Sequence, residues 1–312
     1  MFGFIARRLL AIIPVMGMVA LVVFAILRLT PGDPAAIIAG DSATAEQLDL
    51  IRHHMGLDKP IYMQFLLWLL QLLRGDLGTS LISGVSVVSM VGDRIGPSLA
   101  LATSTMVFTV LVAIPLGVVA AWRQGKLLDR AVMAFSVFGF SMPVFVTGYL
   151  LILAFSIGLG WFPVQGYRPL EDGLLLFAER LVLPTLALST IYIALIARIT
   201  RTSIIEVMGE DYIRTARAKG LKESAVLMQH ALRNAAVPIV TIIGVGVALL
   251  ISGVVVTESV FNLPGLGRLV VEAVLARDYP VIQGLILLFS FVYILINLVV
   301  DVLYTVFDPR IR

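Results

Sequence analysis

The segment 211–220 concentrates the residues of this chain whose types and spacing suit binding chemistry. Its letters are DYIRTARAKG, so an acidic residue opens a run with three basic residues, two alanines and a final glycine. Acidic residues favour the start of a helix and Gly its end, which predicts a short helix over 212–219 that stops at Gly220. A helix of two turns is not stable alone in water. Either a partner holds it, with Ala216 and Ala218 admitting a close backbone, or the segment is a solvated basic loop.

Residues for other chemistry are scarce in the sequence. The 312 residues include no Cys and only three His, which excludes disulfides and thiol nucleophiles and disfavours histidine-rich metal sites. The sequence lacks the pattern Gly-x-x-x-x-Gly-Lys-Ser/Thr, so no phosphate-cradling loop is expected and the chain should not hydrolyse ATP by itself. We therefore predict no catalytic residue, no metal site and no bound cofactor.

The composition indicates that these residues belong to a membrane protein. Apolar residues make up 59% of the chain and charged residues 14%, whereas soluble domains have about 45–50% and about 25%. The mean hydropathy is +1.01. Six charge-free stretches have the roughly 17–25 residues that a helix needs to cross a bilayer, which predicts six spanning helices, and they cover 9–27, 98–122, 131–155, 181–197, 234–257 and 279–300. The apolar run 61–73 is too short to span and is expected to lie on the surface.

Lys and Arg residues set the predicted orientation, because cytoplasmic loops hold an excess of them. With both termini in the cytoplasm, most of the 23 Lys and Arg residues fall inside, many of them within 198–233. The outer segment 31–97 carries more acidic than basic residues. The net charge of +3 therefore reflects a positive inside and requires no nucleic-acid partner.

The predicted spans carry no carboxylate or His near their centres. Ionisable groups inside a membrane are costly and usually functional, so their absence disfavours a carrier driven by an ion gradient. A membrane scaffold or enzyme is disfavoured as well, since no nucleophile–base pair appears. Arg198 and Asp301 lie at the inner ends of two spans and are candidates for a structural ion pair.

Several short motifs follow one another in a specific order along the chain. The most informative is DYIRTARAKGL at 211–221, followed by HALRN at 230–234 and by Pro238. The others are RRL at 7–9, PGDP at 31–34, GLD at 56–58, GDLG at 75–78, PLG at 115–117, SMP at 141–143, PGLGR at 264–268, RDYP at 277–280 and DPRIR at 308–312. Together they resemble the permease subunits of bacterial ABC importers, closest to the dipeptide, oligopeptide, glutathione and nickel branch.

The loop 211–234 matches the general coupling-loop pattern of ABC importers only in part. That pattern reads Glu-Ala-Ala, three residues, Gly, nine residues, Ile, one residue, Leu-Pro. Ala216, Gly220 and Leu232 agree with it. The positions of the Glu, first Ala, Ile and Pro are taken by Arg214, Thr215, His230 and Arg233. The peptide branch shares these replacements, so the resemblance still implies docking of an ATPase subunit.

The resemblance implies an all-α integral membrane protein with six transmembrane helices and the type I ABC importer permease fold. It divides the chain into a first helix with a periplasmic segment, 1–93, and a permease domain, 94–305, containing the cytoplasmic coupling loop 198–233. It implies import of short peptides or similar solutes across the bacterial inner membrane by alternating access. The implied partners are a second permease in a heterodimer, two ATPase subunits that bind ATP and Mg, a periplasmic substrate-binding protein and membrane lipid.

Three groups of residues are predicted to serve this function. The ATPase-coupling group comprises Asp211, Tyr212, Arg214, Thr215, Ala216, Arg217, Ala218, Lys219, Gly220 and Leu232. The translocation path or close helix packing is assigned to Gly244, Gly246, Ser252 and Gly253. Docking of the binding protein is assigned to Pro264, Gly265, Leu266 and Gly267.

The apolar spans favour a peptide-like solute over bare Ni²⁺, which would need imidazole or carboxylate ligands along the path. A permease for a nickel complex or another small solute remains the alternative.

Overall fold

A computed structural model describes residues 2–29, 35, 44–54 and 57–307, and these residues are mostly helical. In chain order the helices are α1 (Phe2–Leu29), α2 (Ala45–His54), α3 (Ile61–Leu73), α4 (Val87–Trp122), α5 (Leu127–Ser141), α6 (Val144–Leu151), α7 (Leu174–Met208), α8 (Asp211–Ala218), α9 (223–234), α10 (Ala236–Phe261), α11 (Leu266–Ala276) and α12 (Tyr279–Phe307). A π-helical turn, Ile152–Gly158, continues α6. The motifs at 31–34 and 308–312 and Gly56 lie outside the described residues.

Four helices in the described part of the chain are long and apolar enough to cross a membrane. They are α4, α7, α10 and the Tyr279–Val302 part of α12. The pair α5 and α6, with its π turn, is long and apolar enough to cross a membrane only when the two helices are taken together. α1 contains the shorter apolar stretch Leu10–Ile26. The prediction of a mostly helical membrane protein is confirmed. The described residues form four spans, or five if the bent pair counts as a single span.

The pair α5 and α6 is bent by 104° at a break between them. Met142 ends α5 in an extended conformation, with φ −88° and ψ 123°, and Pro143 precedes α6. The proline ring disfavours helical geometry in the residue before it, which explains why the chain turns here. The prediction of one continuous helix over 131–155 is therefore wrong.

The chain forms two compact units, one made of Met1–Gly96 with Arg268–Ile294 and the other of Pro97–Gly267 with Leu295–Arg312. In the first unit, the turn at 79–86 is fastened to the start of α12. The Ser80 hydroxyl donates to Asp278 Oδ2, and the Leu81 amide donates to Asp278 Oδ1 at 3.0 Å. Asp278 is buried, so these bonds give its carboxylate the partners that a buried charge needs.

In the second unit, α7 packs against α5, α6 and α10. At its middle, Leu188 and Tyr192 form one buried cluster with Leu250 and Phe261 of α10. Near its end, Ile204 forms another with residues of α4, α9 and α10. α7 therefore contributes buried residues both to the cluster beside the 209–234 loop and to the cluster at the opposite end of α10.

Candidate functional site

The short helix α8 is held in place by two of its own side chains. Ile213 is completely buried and Ala216 is 7% exposed, and both pack with Val226 of α9. Val207 and Met208, at the end of α7, complete this small cluster. The spacing of three residues puts Ile213 and Ala216 on one face of the helix. The seat for α8 is thus provided by this chain itself, and Ala216 is small because it packs inward.

The two ends of α8 are set by local sequence. Glu210 precedes it in an extended conformation, and its carbonyl accepts from the amides of Ile213 and Arg214. Asp211 lies in the first turn, where a negative charge is favourable. Gly220 follows the helix with φ +79°, a left-handed conformation that favours glycine. The helix predicted over 212–219 is therefore confirmed, with its start and end one residue earlier.

The opposite face of α8 is exposed and carries a net positive charge. Its exposed residues are Asp211, Tyr212, Arg214, Thr215, Arg217, Ala218 and Lys219. Arg217 donates to Glu223 at 2.6 and 3.1 Å, and this hydrogen bond holds the pKa of the Glu223 carboxyl below its usual value. Arg214 pairs with Asp211 at 3.3 Å, and both are largely exposed, so the pair stabilises the fold little. The predicted coupling group is therefore divided between an inward and an outward face.

A cleft of about 370 Å³ lies beside α8. It is lined by Ala121, Trp122, Gln124, Ile205, Met208, Gly209, Arg217 and Glu223. The ends of α4 and α7 therefore line this cleft together with residues of the 209–234 loop. The Arg123 guanidinium stacks over the Trp122 ring at 5.1 Å from its centre. The last predicted coupling residue, Leu232, packs instead into the cluster around Ile204.

A buried ion pair that the sequence analysis missed fixes the turn between α4 and α5. Arg201 of α7 donates through two nitrogens to Asp129, with Nη2 at 2.8 Å from Oδ2. The Asp129 side chain is 5% exposed and also accepts from the Gly125 amide at 2.8 Å. Arg198, the candidate partner of Asp301, forms no ion pair with a described residue. Arg201 lies three positions further along the helix, and only the fold shows that it meets Asp129.

The small residues of α10 have different surroundings. A side chain at Gly244 would collide with Val300 of α12, and one at Gly253 would collide with Leu188 of α7. These two glycines therefore permit close helix packing. Gly246 is buried, and a Cβ atom there would be in ordinary van der Waals contact with Met106. Ser252 is exposed.

The turn at 262–267 closes over a buried carboxylate. Glu258 has no exposed surface, and the Ser98 hydroxyl donates to its Oε1. The Leu266 amide donates in turn to the Ser98 oxygen at 2.8 Å. A Cβ atom at Gly265 would collide with the Glu258 carboxylate, which explains the glycine.

Among the four residues predicted to dock a partner at this turn, the structure exposes only Pro264. Leu266 is 6% exposed, so its side chain supports the turn from within. Glu258 and Ser98 are separated by 160 positions, and no local sequence pattern indicated their pairing.

The fold defined by these helices is that of a type I ABC importer permease. It matches solved structures of the MetNI methionine ABC transporter in inward-facing conformations, with a TM-score of 0.59 at 17% identity. The match covers 71% of this chain and 97% of that chain.

Family comparison agrees with the fold. Residues 113–312 match the binding-protein-dependent transport system inner membrane component, and residues 1–102 match its N-terminal family. The chain belongs to this family and is a multi-pass protein of the inner membrane.

Curated relatives match the chain from end to end. A probable peptide ABC transporter permease of Sinorhizobium fredii is 51% identical over 309 residues, covering 99% of each chain. A putative peptide transport system permease of Brucella abortus is 44% identical over 312 residues. A glutathione transport system permease of Escherichia coli is also 44% identical over 312 residues, covering all of this chain and 99% of that one. The resemblance to ABC importer permeases is thereby confirmed.

Proposed function

We propose that this chain is the permease subunit of an ATP-driven importer that moves short peptides or peptide-like solutes by alternating access. The names of its relatives support that substrate class, since they are described as peptide and glutathione permeases. The observation that carries the mechanism is α8, a two-turn helix packed on its own chain through Ile213 and Ala216, with an outward face that carries a net positive charge. An element of this kind can receive force from a partner without losing its position.

The energy comes from partners in this proposal. Two ATPase subunits carry ATP and Mg, and this chain contributes no catalytic residue and binds no cofactor. Closure of the ATPases pushes the exposed face of α8. The push reaches α7 through Val207 and Met208 and passes along the buried packing of α7 to the far end of α10. There the turn held by Glu258 faces the substrate-binding protein.

Six spans complete the proposed architecture, namely α1, α4, the bent pair α5–α6, α7, α10 and α12. A second, related permease forms a heterodimer with this chain around the translocation path. Among the four residues assigned to that path, Ser252 is best placed to line it, because it is exposed, whereas Gly246 is buried and Gly244 and Gly253 are tightly packed. Residues 1–93 act as an added N-terminal segment and 94–305 as the permease domain.

Both termini are proposed to lie in the cytoplasm, and single cysteines test this orientation. Because the sequence has no Cys, no background needs to be removed from this chain. Asp76 and Gln124 are both exposed and lie beyond opposite ends of α4. We expect Asp76→Cys to react with an impermeant maleimide in intact spheroplasts and Gln124→Cys to react only after permeabilisation. The reverse labelling would overturn the orientation and the coupling assignment with it.

Uptake measurements test the substrate class. In a strain whose only peptide, glutathione and nickel importer is the complete system containing this chain, we expect accumulation of labelled di- to oligopeptides or glutathione. Accumulation should stop when the partner ATPase carries an inactive nucleotide site. Uptake of nickel with no uptake of peptides or glutathione would contradict the proposal, and uptake that persists without ATP hydrolysis would favour an ion-coupled carrier.

A further inference from the structure

Helix α3 presents an apolar surface that the described part of the chain leaves uncovered. Only Gln64 and Gln71 interrupt its apolar and aromatic residues, and none of its 13 residues is buried. The outward side chains are between 39% and 77% exposed, and they are Ile61, Tyr62, Met63, Leu66, Leu67, Leu70 and Leu73. Contiguous apolar surface of this kind is rarely left to water. A helix that is apolar on all sides is normally surrounded by apolar material.

The other face of α3 is attached to the first predicted span. Phe65 and Trp68 contact Phe24 of α1, with ring centres 5.3 and 5.6 Å apart. The Gln64 amide donates to the carbonyl oxygens of Leu57 and Lys59, which ties the start of the helix to the loop before it. These contacts join α3 to an apolar helix whose own surface also exposes large aliphatic side chains, among them Leu21 and Ile26.

Length and end charges indicate what covers the outward face. A 13-residue helix is about 20 Å long, too short for a hydrocarbon core of about 30 Å. Lys59 and Arg74 stand exposed at its two ends, and neither forms an ion pair with a described residue. Long basic side chains at such positions reach lipid phosphates while their stems stay in apolar surroundings.

Two acids lie close to the ends of α3, and each has another neighbour. Asp58 lies 3.8 Å from His53 Nε2, and Asp76 accepts from the Gly78 amide at 2.8 Å.

The outward face is poorly suited to another membrane helix. Helices pack closely in membranes through Gly, Ala, Ser and Thr, which let two backbones approach. Every residue of this face is large. Phospholipid, which adapts to any apolar shape, fits the face better than a second permease does.

We propose that α3 is a membrane-interface helix, anchored to α1 by the Phe24–Phe65–Trp68 contacts and covered on its outward face by phospholipid. Its aliphatic side chains lie among the upper acyl chains, and Lys59 and Arg74 contact lipid phosphates at the two ends. With the orientation proposed above, α3 lies in the periplasmic leaflet. Its contact with lipid does not depend on that orientation.

Spin labels on the intact transporter test this contact. Leu66→Cys and Leu70→Cys place a label on the outward face, and Asp76→Cys places one just beyond the helix, where water is expected. The complete complex, with its other subunits free of accessible cysteine, is reconstituted into phospholipid nanodiscs. Collisions with oxygen and with a neutral nickel chelate are then compared, using phospholipids that carry nitroxides at known depths as calibration.

We expect oxygen to collide several-fold more often than nickel at positions 66 and 70, at a depth just below the phosphates, with the opposite ratio at position 76. Nickel collisions dominating at 66 and 70 would show that α3 faces water and would overturn the proposal. Exclusion of both reagents would show that a protein partner covers the helix and would overturn it equally. Maleimide labelling of Asp76→Cys reports the leaflet separately, so a wrong orientation and a wrong lipid contact give different results.

Discussion

Ala218→Glu is expected to abolish solute uptake while leaving the amount of chain in the membrane unchanged. Ala218 is exposed on α8, so a larger residue there does not disturb the buried seat formed by Ile213 and Ala216. If an ATPase subunit covers this face, the new carboxylate must leave water when the subunit docks. The effective cost of burying an ion is several kcal/mol, and even about 2 kcal/mol weakens productive docking roughly 30-fold. Uptake and substrate-stimulated ATP hydrolysis, measured in proteoliposomes with the whole complex, should both fall.

Two matched variants distinguish a local effect at position 218 from general charge repulsion. Ala218→Ser changes the side chain little and should retain uptake. Gln229→Glu adds a negative charge at another exposed position of the same loop and should also retain it. An equal loss in Gln229→Glu would point to general charge repulsion, and normal uptake in Ala218→Glu would favour a solvated basic loop.

Ala216→Glu is expected to behave differently from Ala218→Glu, although both residues are alanines of one short helix. Ala216 is 7% exposed and packs on Val226, so a charge there disrupts the loop itself. Less folded protein should then be recovered. The two positions could not be told apart from the sequence, because the inward face of α8 depends on where α7 and α9 lie.

The features predicted successfully were those that depend on local sequence. Long apolar runs identified the helices, and an acidic start with a terminal Gly located α8 within one residue. The effect of prolines was harder to predict. Pro115 and Pro184 lie inside continuous helices, whereas Pro143 marks a bend of 104°. Neighbouring helices can support the backbone groups that a proline leaves unpaired, and that support depends on tertiary packing.

The candidate site contains contacts that no local pattern could have shown. Asp129 and Arg201 are 72 positions apart, and Ser98 and Glu258 are 160 apart. Each pair joins two helices, and the two pairs lie at opposite ends of the second unit's bundle. The turn 264–267 was assigned to docking because it is compact, yet Leu266 points inward and Gly265 makes room for the Glu258 carboxylate. Its glycines therefore reflect what lies beneath the turn.

Arg201→Met should be the most destabilising of the substitutions considered for this chain. It removes the cation from Asp129, whose side chain is 5% exposed, and leaves a buried carboxylate with the Gly125 amide as its remaining hydrogen-bond donor among the described residues. Breaking one side of a buried pair costs about 3–5 kcal/mol. Arg214→Met is the matched control, since Arg214 and Asp211 form an Arg–Asp pair that is 75% and 95% exposed. Removing that pair should cost about 0–1 kcal/mol.

The measurement is the temperature at which each purified variant stops eluting as a single species in detergent. We expect the order wild type, Arg214→Met, then Arg201→Met well below both. Combining Arg201→Met with Asp129→Asn should recover part of the loss, because the second change removes the unpaired charge. Equal temperatures for the two single variants would show that burial of Asp129 does not matter. A double variant as unstable as the sum of its parts would show that the two side chains act independently, contrary to the contact that fixes the α4–α5 turn beside the cleft.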